Sequence, residues 1–303
     1  MLRPYANPTS NLRLAPLVIR TPNDVESFHD FPHPHAIIAP THFKRNEQRV
    51  SVRSNYPHPG IAVLRFDRPE ALNALNLATM HAFAAAVDDL HQQTQTLRAV
   101  IVTGAGEKSF SSGGDLQELS LYPDEAAARD FITVMGDALL ALERLPVPVI
   151  AAMNGYALGG GTEIALACDL RVVDEAVTFG LVQLKMALTP GWGAGQRLLR
   201  LVGYSKAMQM LLEAAPLKSD EVCALGLANK VTPPGQAYTV ALEWATQIAS
   251  GPPDVIRSLK TLLLAGLTQP YEEALQTERD LFPALWAAEP HLQAVERFLQ
   301  RKK

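Results

Sequence analysis

Three consecutive glycines, Gly159 to Gly161, separate an apolar run that predicts a buried strand (147–152) from one that predicts the start of a buried helix (164–167). Glycine permits turns that a Cβ would forbid. It also leaves backbone N–H groups uncovered at the start of the helix, where the peptide dipoles favour negative charge. Glu163 lies just inside that helix. The segment predicts either an anion cradle beside a carboxylate or, for an isolated glycine run, a purely structural junction.

A second segment repeats this pattern and favours the first interpretation. The run 99–103 predicts a strand, and the pair Gly113-Gly114 follows it shortly before another predicted helix. Two such turns can supply two backbone N–H donors to one oxygen, which is the minimum for an oxyanion hole. With Glu163 nearby to exchange a proton, the sequence predicts a site that stabilises an enolate.

Four motifs carry a resemblance to a known family. They are RPEALNAL (68–75), FSSGGDLQEL (110–119), NGYALGGGTEIALACD (154–169) and TPGWGAGQRL (189–198). In their order and spacing the chain resembles the crotonase, or enoyl-CoA hydratase/isomerase, superfamily from about Val50 to the C-terminus. The resemblance implies an α/β fold, the ClpP/crotonase-like spiral of repeated ββα units, with a helical C-terminal region.

The same resemblance implies a chemistry and assigns residues to it. Members of the superfamily bind acyl-coenzyme A thioesters and stabilise the thioester enolate. The oxyanion donors would be the backbone N–H groups of Gly114 and Gly160, and Glu163 matches the first catalytic glutamate of the hydratases. Coenzyme A belongs to the substrate, so no separate cofactor is expected. A homotrimer or a hexamer, a dimer of trimers, is the expected assembly.

The chain departs from the hydratase pattern at one catalytic position. Hydratases usually carry a second glutamate in a Phe-Gly-x-Pro-Glu segment, and here that segment places Gln183 at the glutamate position. A carboxamide can orient a water or a carbonyl, but it cannot take a proton from either. Gln183 is therefore either a tolerated variant in a slow enoyl-CoA hydratase or the mark of a reaction that needs one carboxylate.

Three hypotheses follow from this difference. The first is an enoyl-CoA hydratase with Glu163 as acid and base. The second is a malonyl-type acyl-CoA decarboxylase, because loss of CO₂ forms the enolate without an activated water. The third, from a different class, is a thioester-binding protein with little turnover. One fold hosts several chemistries, so the resemblance alone does not choose among them.

Further substrate contacts are predicted around the two glycine turns. We expect Asp115 to cap the helix that follows it. Trp192 lies in the Pro-Gly turn, where it either packs within the protein or narrows the acyl pocket. The candidate substrate-binding residues are Ser112, Gly113, Asp115, Leu116, Leu119, Gly159 and Trp192. Lys260, on a predicted C-terminal helix, is expected on a solvated face.

Composition excludes several classes of function. A net charge of −4 argues against a nucleic-acid-binding surface. No apolar run approaches the roughly 18 residues of a membrane span. The two cysteines, Cys168 and Cys223, are distant in sequence, lack metal-ligand spacing with histidine, and are expected to be buried free thiols. That usage fits a reducing compartment, so we expect a cytoplasmic protein without a metal site.

The chain divides into two predicted regions. Residues 1–49 contain prolines at short intervals and predict an extended or partly disordered arm. Arginines precede the first acidic residue there, a bias shared with organelle transit peptides, but the prolines oppose the amphipathic helix that import would need. Residues 50–303 predict the crotonase-like domain, with a spiral core over about 50–203 and a helical region over about 204–303. Within the core, the residue pattern predicts helices over 125–143 and 160–167 and a turn-rich linker over 55–60.

Overall fold

Strands and helices alternate through most of the protein, whose computed structural model describes residues 51–301. The arm predicted for residues 1–49 lies outside the described residues. The strands are β1 (Val52–His58), β2 (Ile61–Phe66), β3 (Ala99–Gly104), β4 (Ser109–Ser111), β5 (Val149–Met153), β6 (Tyr156–Leu158), β7 (Leu170–Asp174), β8 (Thr178–Gly180), β9 (Leu217–Lys218) and β10 (Lys230–Thr232).

The α-helices connect these strands and then continue alone to the C-terminus. They are α1 (Leu77–Gln92), α2 (Leu116–Leu119), α3 (Glu125–Glu143), α4 (Gly160–Ala167), α5 (Ala194–Glu213), α6 (Ser219–Ala224), α7 (Ala237–Ala249), α8 (Pro253–Thr268), α9 (Tyr271–Trp286) and α10 (Glu289–Gln300). Helix α5 is kinked at Gly203, where φ is 75°. Two 3₁₀ turns cover Pro69–Ala71 and Gln183–Met186.

The strands form two sheets that share a repeated topology. The larger sheet has the order β1-β2-β3-β5-β7-β10, and the smaller sheet has the order β4-β6-β8-β9. The pairs β3/β4, β5/β6 and β7/β8 each place one strand in each sheet, and a helix follows each pair. This arrangement is the predicted series of ββα units. The antiparallel pairs are β1 with β2 and β8 with β9, at sheet edges, and the other pairs are parallel.

The central strands are apolar throughout because both faces of the larger sheet are covered. Every residue of β3 and β5 is buried, as expected for parallel strands with cover on both sides. On one face, α7 contributes Ala237, Ala241 and Ala245, which lie one helical turn apart and let the helix approach the sheet closely. The main core fills the other face, where Phe66 packs against Phe83 and Phe110.

Several sequence predictions are confirmed and others are wrong. The helices predicted at 125–143 and 160–167 have those bounds. The segment 55–60, predicted as a turn-rich linker, continues strand β1 to His58 with a register shift. The two cysteines are free as predicted, but Cys223 is exposed. Within the C-terminal region predicted to be helical, β9 and β10 extend the sheet edges; strands of two or three residues carry too little alternation to be recognised.

Lys260 is buried rather than solvated, which contradicts the sequence expectation. Its ammonium group donates to Asp169 Oδ2 at 2.7 Å and to the Val147 carbonyl oxygen at 2.9 Å. The same carboxylate oxygen accepts the Val149 N–H at 2.7 Å. Helix α8 is thereby tied to the start of β5 and to the α4–β7 connection.

Removing this ammonium should destabilise the fold. Lys260→Met leaves Asp169 without its charged partner, and we expect a loss of about 2–4 kcal/mol in the free energy of unfolding. The lower part of that range reflects the 27% exposure of the Asp169 side chain. Urea denaturation measures the effect, with the exposed Lys108→Met as the control. A loss below about 1 kcal/mol, typical of a surface ion pair, would contradict the prediction.

Candidate active site

The fold brings the two glycine turns into contact. Strands β4 and β6 are parallel neighbours in the smaller sheet, so the segments that follow them meet at the same edge. A Cβ on Gly113 would lie only 2.7 Å from the Gly160 nitrogen and 2.9 Å from the Leu158 carbonyl oxygen. Gly113 has φ of 92° and Gly159 has φ of 52°, values that favour glycine. The turns can meet because these positions carry no side chain.

The two predicted oxyanion donors are uncommitted within residues 51–301. Leu75 binds the residues on either side of Gly114, donating to the Gly113 carbonyl and accepting the Asp115 N–H, and the Gly114 N–H is left without a partner. Gly160 is the first residue of α4, so its N–H has no acceptor within the helix. Two free N–H groups on touching turns are the components that an oxyanion hole requires.

Glu163 lies in the first turn of α4 and is 3% exposed. Its Oε2 accepts the N–H groups of Trp192 at 2.7 Å and Ala194 at 3.1 Å. Its Oε1 accepts the Gly191 N–H at 3.3 Å and Gln183 Nε2 at 3.0 Å. A carboxylate offers about four lone-pair sites, so each has a donor. Burial raises the pKa of Glu163 above its ordinary value of 4.5, while these hydrogen bonds oppose the rise.

Gln183 lies beside Glu163, as its position in the motif predicts. Its amide donates to the carboxylate, and this orientation is required because a carboxylate in its charged form only accepts hydrogen bonds. Within the described part of the chain, the buried Gln183 Oε1 has no hydrogen-bond partner. The site therefore holds one carboxylate, one carboxamide and one buried acceptor that a water or a substrate hydrogen would satisfy.

Two apolar side chains pack against the glycines that carry the predicted oxyanion donors. A Cβ on Gly160 would lie 2.1 Å from Trp192 Cζ3, so the indole ring rests directly on this glycine. A Cβ on Gly114 would lie 2.8 Å from Leu119 Cδ1. Trp192 and Leu119 therefore pack against the two glycine turns, next to the predicted donors.

The remaining predicted residues have different surroundings. Asp115 makes no side-chain cap to α2, so the predicted cap is wrong; its carboxylate instead binds Arg68 Nη2 at 3.0 Å, because the guanidinium offers a charged donor. The Ser112 N–H donates to the Leu72 carbonyl at 3.0 Å. Leu116 is 54% exposed. These contacts involve Arg68 and its neighbours, whose motif indicated the family but no role at the site.

The comparisons with known proteins agree with this geometry. The Enoyl-CoA hydratase/isomerase family matches residues 57–303. A short-chain-enoyl-CoA hydratase of Clostridium acetobutylicum is 37% identical over 243 residues, covering 80% of this chain and 92% of the relative. An ethylmalonyl-CoA decarboxylase of Xenopus laevis is 32% identical over 245 residues, covering 80% and 81%.

Solved structures support the same assignment. The crystal structure of an enoyl-CoA hydratase from Bacillus anthracis superposes with a TM-score of 0.78 at 31% identity, covering 83% of this chain and 96% of that one. The crotonase fold that the motifs imply is thereby confirmed. The family model and these relatives match most of the chain, and the site has the glycine turns and the buried glutamate that the motifs imply. The chain therefore belongs to the enoyl-CoA hydratase/isomerase family of the crotonase superfamily.

Proposed function

We propose that this protein is an enoyl-CoA hydratase that adds water to a 2-enoyl-CoA thioester. The observation that carries the proposal is a pair of N–H groups, on Gly114 and Gly160 near Glu163, that have no acceptor in the part of the chain that the structure describes. The thioester oxygen binds the two N–H groups, which stabilise the negative charge that develops as the enolate forms. The 37% identical relative carries a hydratase name, which supports the same reaction.

The reaction would use Glu163 for both proton transfers. Glu163 Oε1 takes a proton from water while the water oxygen bonds to C3 and the C2=C3 electrons move to the thioester oxygen. Glu163 Oε1 then returns the proton to C2, and the electrons on the thioester oxygen re-form the carbonyl. Water must first displace one of the four donors, and the Gly191 N–H is the most distant at 3.3 Å. We therefore expect a low hydration rate.

A second candidate reaction is decarboxylation of a malonyl-type acyl-CoA. The specific observation is that donors fill the lone pairs of Glu163 and that Gln183 replaces the second carboxylate. Breaking the bond between C2 and the carboxylate releases CO₂ and leaves its electron pair in the enolate, so no base is needed. Glu163 in its acid form then donates a proton to C2, which completes the acyl-CoA product. The neutral Gln183 carboxamide also does not repel the carboxylate of the substrate, as a second glutamate would. Relatives named ethylmalonyl-CoA decarboxylase support this alternative.

One experiment separates these reactions. The purified protein is incubated separately with crotonyl-CoA and with ethylmalonyl-CoA, and the products are identified by mass. Gain of one water establishes hydration, and loss of CO₂ establishes decarboxylation. Binding of both thioesters with turnover of neither would overturn both proposals in favour of a thioester-binding protein.

Gln183→Glu should change the two reactions in opposite directions. The new carboxylate supplies a second acid/base group, so we expect crotonyl-CoA hydration to rise by about tenfold to a hundredfold. Ethylmalonyl-CoA decarboxylation should fall, because the substrate carboxylate would face a like charge. Initial rates on both thioesters measure the change. Gln196→Glu, on an exposed position of α5, adds the same charge as a control; equal effects of the two variants would contradict the prediction.

We further propose a homotrimeric or hexameric assembly that works in the cytoplasm and uses no cofactor beyond the coenzyme A of its substrate. Within the described chain, α9 and α10 bury no residue and expose Phe282, Trp286, Phe298 and Leu299, which supports self-association. Among residues 51–301, no helix is both long and apolar enough to span a membrane. Light scattering of the full chain measures the assembly.

A further inference from the structure

The first proposed oxyanion donor, the Gly114 N–H, lies between two short elements and depends on contacts with another segment for its conformation. Gly114 follows β4, a strand of three residues, and precedes α2, a helix of four. Two backbone hydrogen bonds bracket it: the Leu75 N–H donates to the Gly113 carbonyl at 2.8 Å, and the Asp115 N–H donates to the Leu75 carbonyl at 2.9 Å. The direction of the Gly114 N–H therefore depends on where Leu75 is held.

Leu75 ends the segment 68–75, which we call the clamp segment. Asn73, in its middle, is 1% exposed and has φ of 55°, a left-handed conformation that asparagine tolerates better than most residues. Its Nδ2 donates to the Ser109 carbonyl at 2.7 Å and to the Ala105 carbonyl at 3.0 Å. These bonds tie the clamp segment to β4 and to the loop before it.

The backbone of Asn73 continues the connection toward the glycine turn. Its carbonyl accepts the Ser111 hydroxyl at 2.9 Å, and Ser111 Oγ in turn accepts the Gly113 N–H at 3.2 Å. The side-chain Oδ1 of Asn73 accepts the Arg68 N–H at 3.0 Å, which closes the clamp segment on itself. One buried asparagine thus links the start of the segment to the turn that carries the donor.

The Arg68 side chain contacts both the clamp segment and the residue that follows Gly114. Its Nη1 donates to the Ala74 carbonyl at 2.7 Å, immediately before Leu75. Its Nη2 binds Asp115 Oδ2 at 3.0 Å, immediately after Gly114. The planar guanidinium presents its donors in a rigid fork, so it fixes the distance between these two points in a way that a single ammonium group cannot.

We propose that Arg68 and Asn73 are positioning residues that set the direction of the Gly114 N–H in the oxyanion hole. This inference rests on the proposed function, because it assigns the two side chains to the enolate-stabilising site. An oxyanion donor is effective only within a narrow range of distance and direction, and a misdirected one loses transition-state stabilisation while ground-state binding changes less. A purely structural clamp would affect unfolding without altering the polarisation of a bound thioester.

The test compares Arg68→Met, Arg68→Lys and the exposed-pair control Arg129→Lys on α3. For the reaction that the wild type performs, we expect kcat to fall by about a hundredfold in Arg68→Met, with KM changed by less than about threefold. Arg68→Lys should recover part of kcat, since one ammonium contacts either Ala74 O or Asp115 but not both. Arg129→Lys should retain the wild-type constants.

A spectroscopic readout separates positioning from folding. Butyryl-CoA with an isotope-labelled thioester carbonyl is bound to each variant, and the carbonyl stretching frequency is measured by difference infrared spectroscopy. The wild type should lower the frequency relative to free butyryl-CoA, and Arg68→Met should return it toward the free value. If Arg68→Met does not fold, Arg68→Lys provides the comparison.

The outcomes test the oxyanion hole and the positioning role of Arg68 separately. A wild-type protein that binds butyryl-CoA without any shift would overturn the proposed oxyanion hole itself. A wild-type shift that persists unchanged in Arg68→Met and Arg68→Lys, with kcat retained or lost only in proportion to unfolded protein, would overturn the positioning role and leave the proposed function standing.

Discussion

Replacing Glu163 with glutamine should lower turnover by about 10²–10⁴-fold, the contribution that a positioned acid/base group makes. Glutamine cannot take the proton from water. Its NH₂ group would also face backbone donors where Oε1 or Oε2 now accepts them, so at least one of the bonds from Gly191, Trp192 or Ala194 is lost. The variant should therefore also lose about 1–3 kcal/mol of unfolding free energy.

The pH dependence of the same experiment separates chemistry from stability. Desolvation raises the pKa of Glu163 above 4.5, so the acid limb of wild-type kcat/KM should lie above that pH. Because the folded pKa is raised, the stability that this group contributes is present below the unfolded pKa and is lost as pH rises through the folded pKa. Both effects should disappear in Glu163→Gln.

The control is Glu175→Gln, an exposed glutamate between β7 and β8. It should keep the wild-type rate and the wild-type pH profile. Retention of more than about a tenth of the turnover by Glu163→Gln, with an unchanged acid limb, would show that Glu163 holds the 190–194 turn without exchanging protons. That outcome would contradict the acid/base role that both candidate reactions assign to Glu163.

Gly160→Ala should reduce turnover by about 10²–10³-fold, the cost of removing one oxyanion donor. The new Cβ would lie 2.1, 2.6 and 2.9 Å from three atoms of the Trp192 ring. The ring has little room to move, because it is 6% exposed and its backbone N–H is bound to Glu163 at 2.7 Å. The backbone at residue 160 must shift, and its N–H shifts with it.

The matched control for this variant is Gly136→Ala on α3, where an added Cβ meets no atom of the described residues within 4 Å. Alanine is the better helix former, so this change should preserve activity and slightly raise stability. Thermal unfolding and steady-state rates on the active thioester measure both variants. Wild-type turnover in Gly160→Ala would show that the N–H of residue 160 does not bind the thioester oxygen.

Local sequence was sufficient for the parts of the site that depend on one short segment. Glycines that need positive φ stand out because few other residues adopt it, and this predicted the turns at Gly113 and Gly159. The apolar pattern predicted α3, which buries one face, and α4, which is buried along almost its whole length. The roles expected for Glu163 and Gln183 followed from the resemblance to the hydratase motifs.

Contacts between distant segments were beyond such reasoning. Lys260 was expected in solvent because lysine is rarely buried, and its burial depends on Asp169, 91 residues away. The role of the clamp segment depends on Arg68 and Asp115 meeting across 47 residues. Short strands such as β9 were missed because their pairing partner, and not their own pattern, creates them.

The sequence by itself determined the family, the two glycine turns and the identity of the groups at the site, since glycine, carboxylate and carboxamide chemistry is local. Only the tertiary structure decided the hydrogen-bond partners and the packing of those groups. It surrounds Glu163 with four donors, leaves Gln183 Oε1 without a partner among residues 51–301, and places the Trp192 ring on Gly160. The physical reason is that hydrogen-bond saturation and close packing arise between segments that only folding brings together.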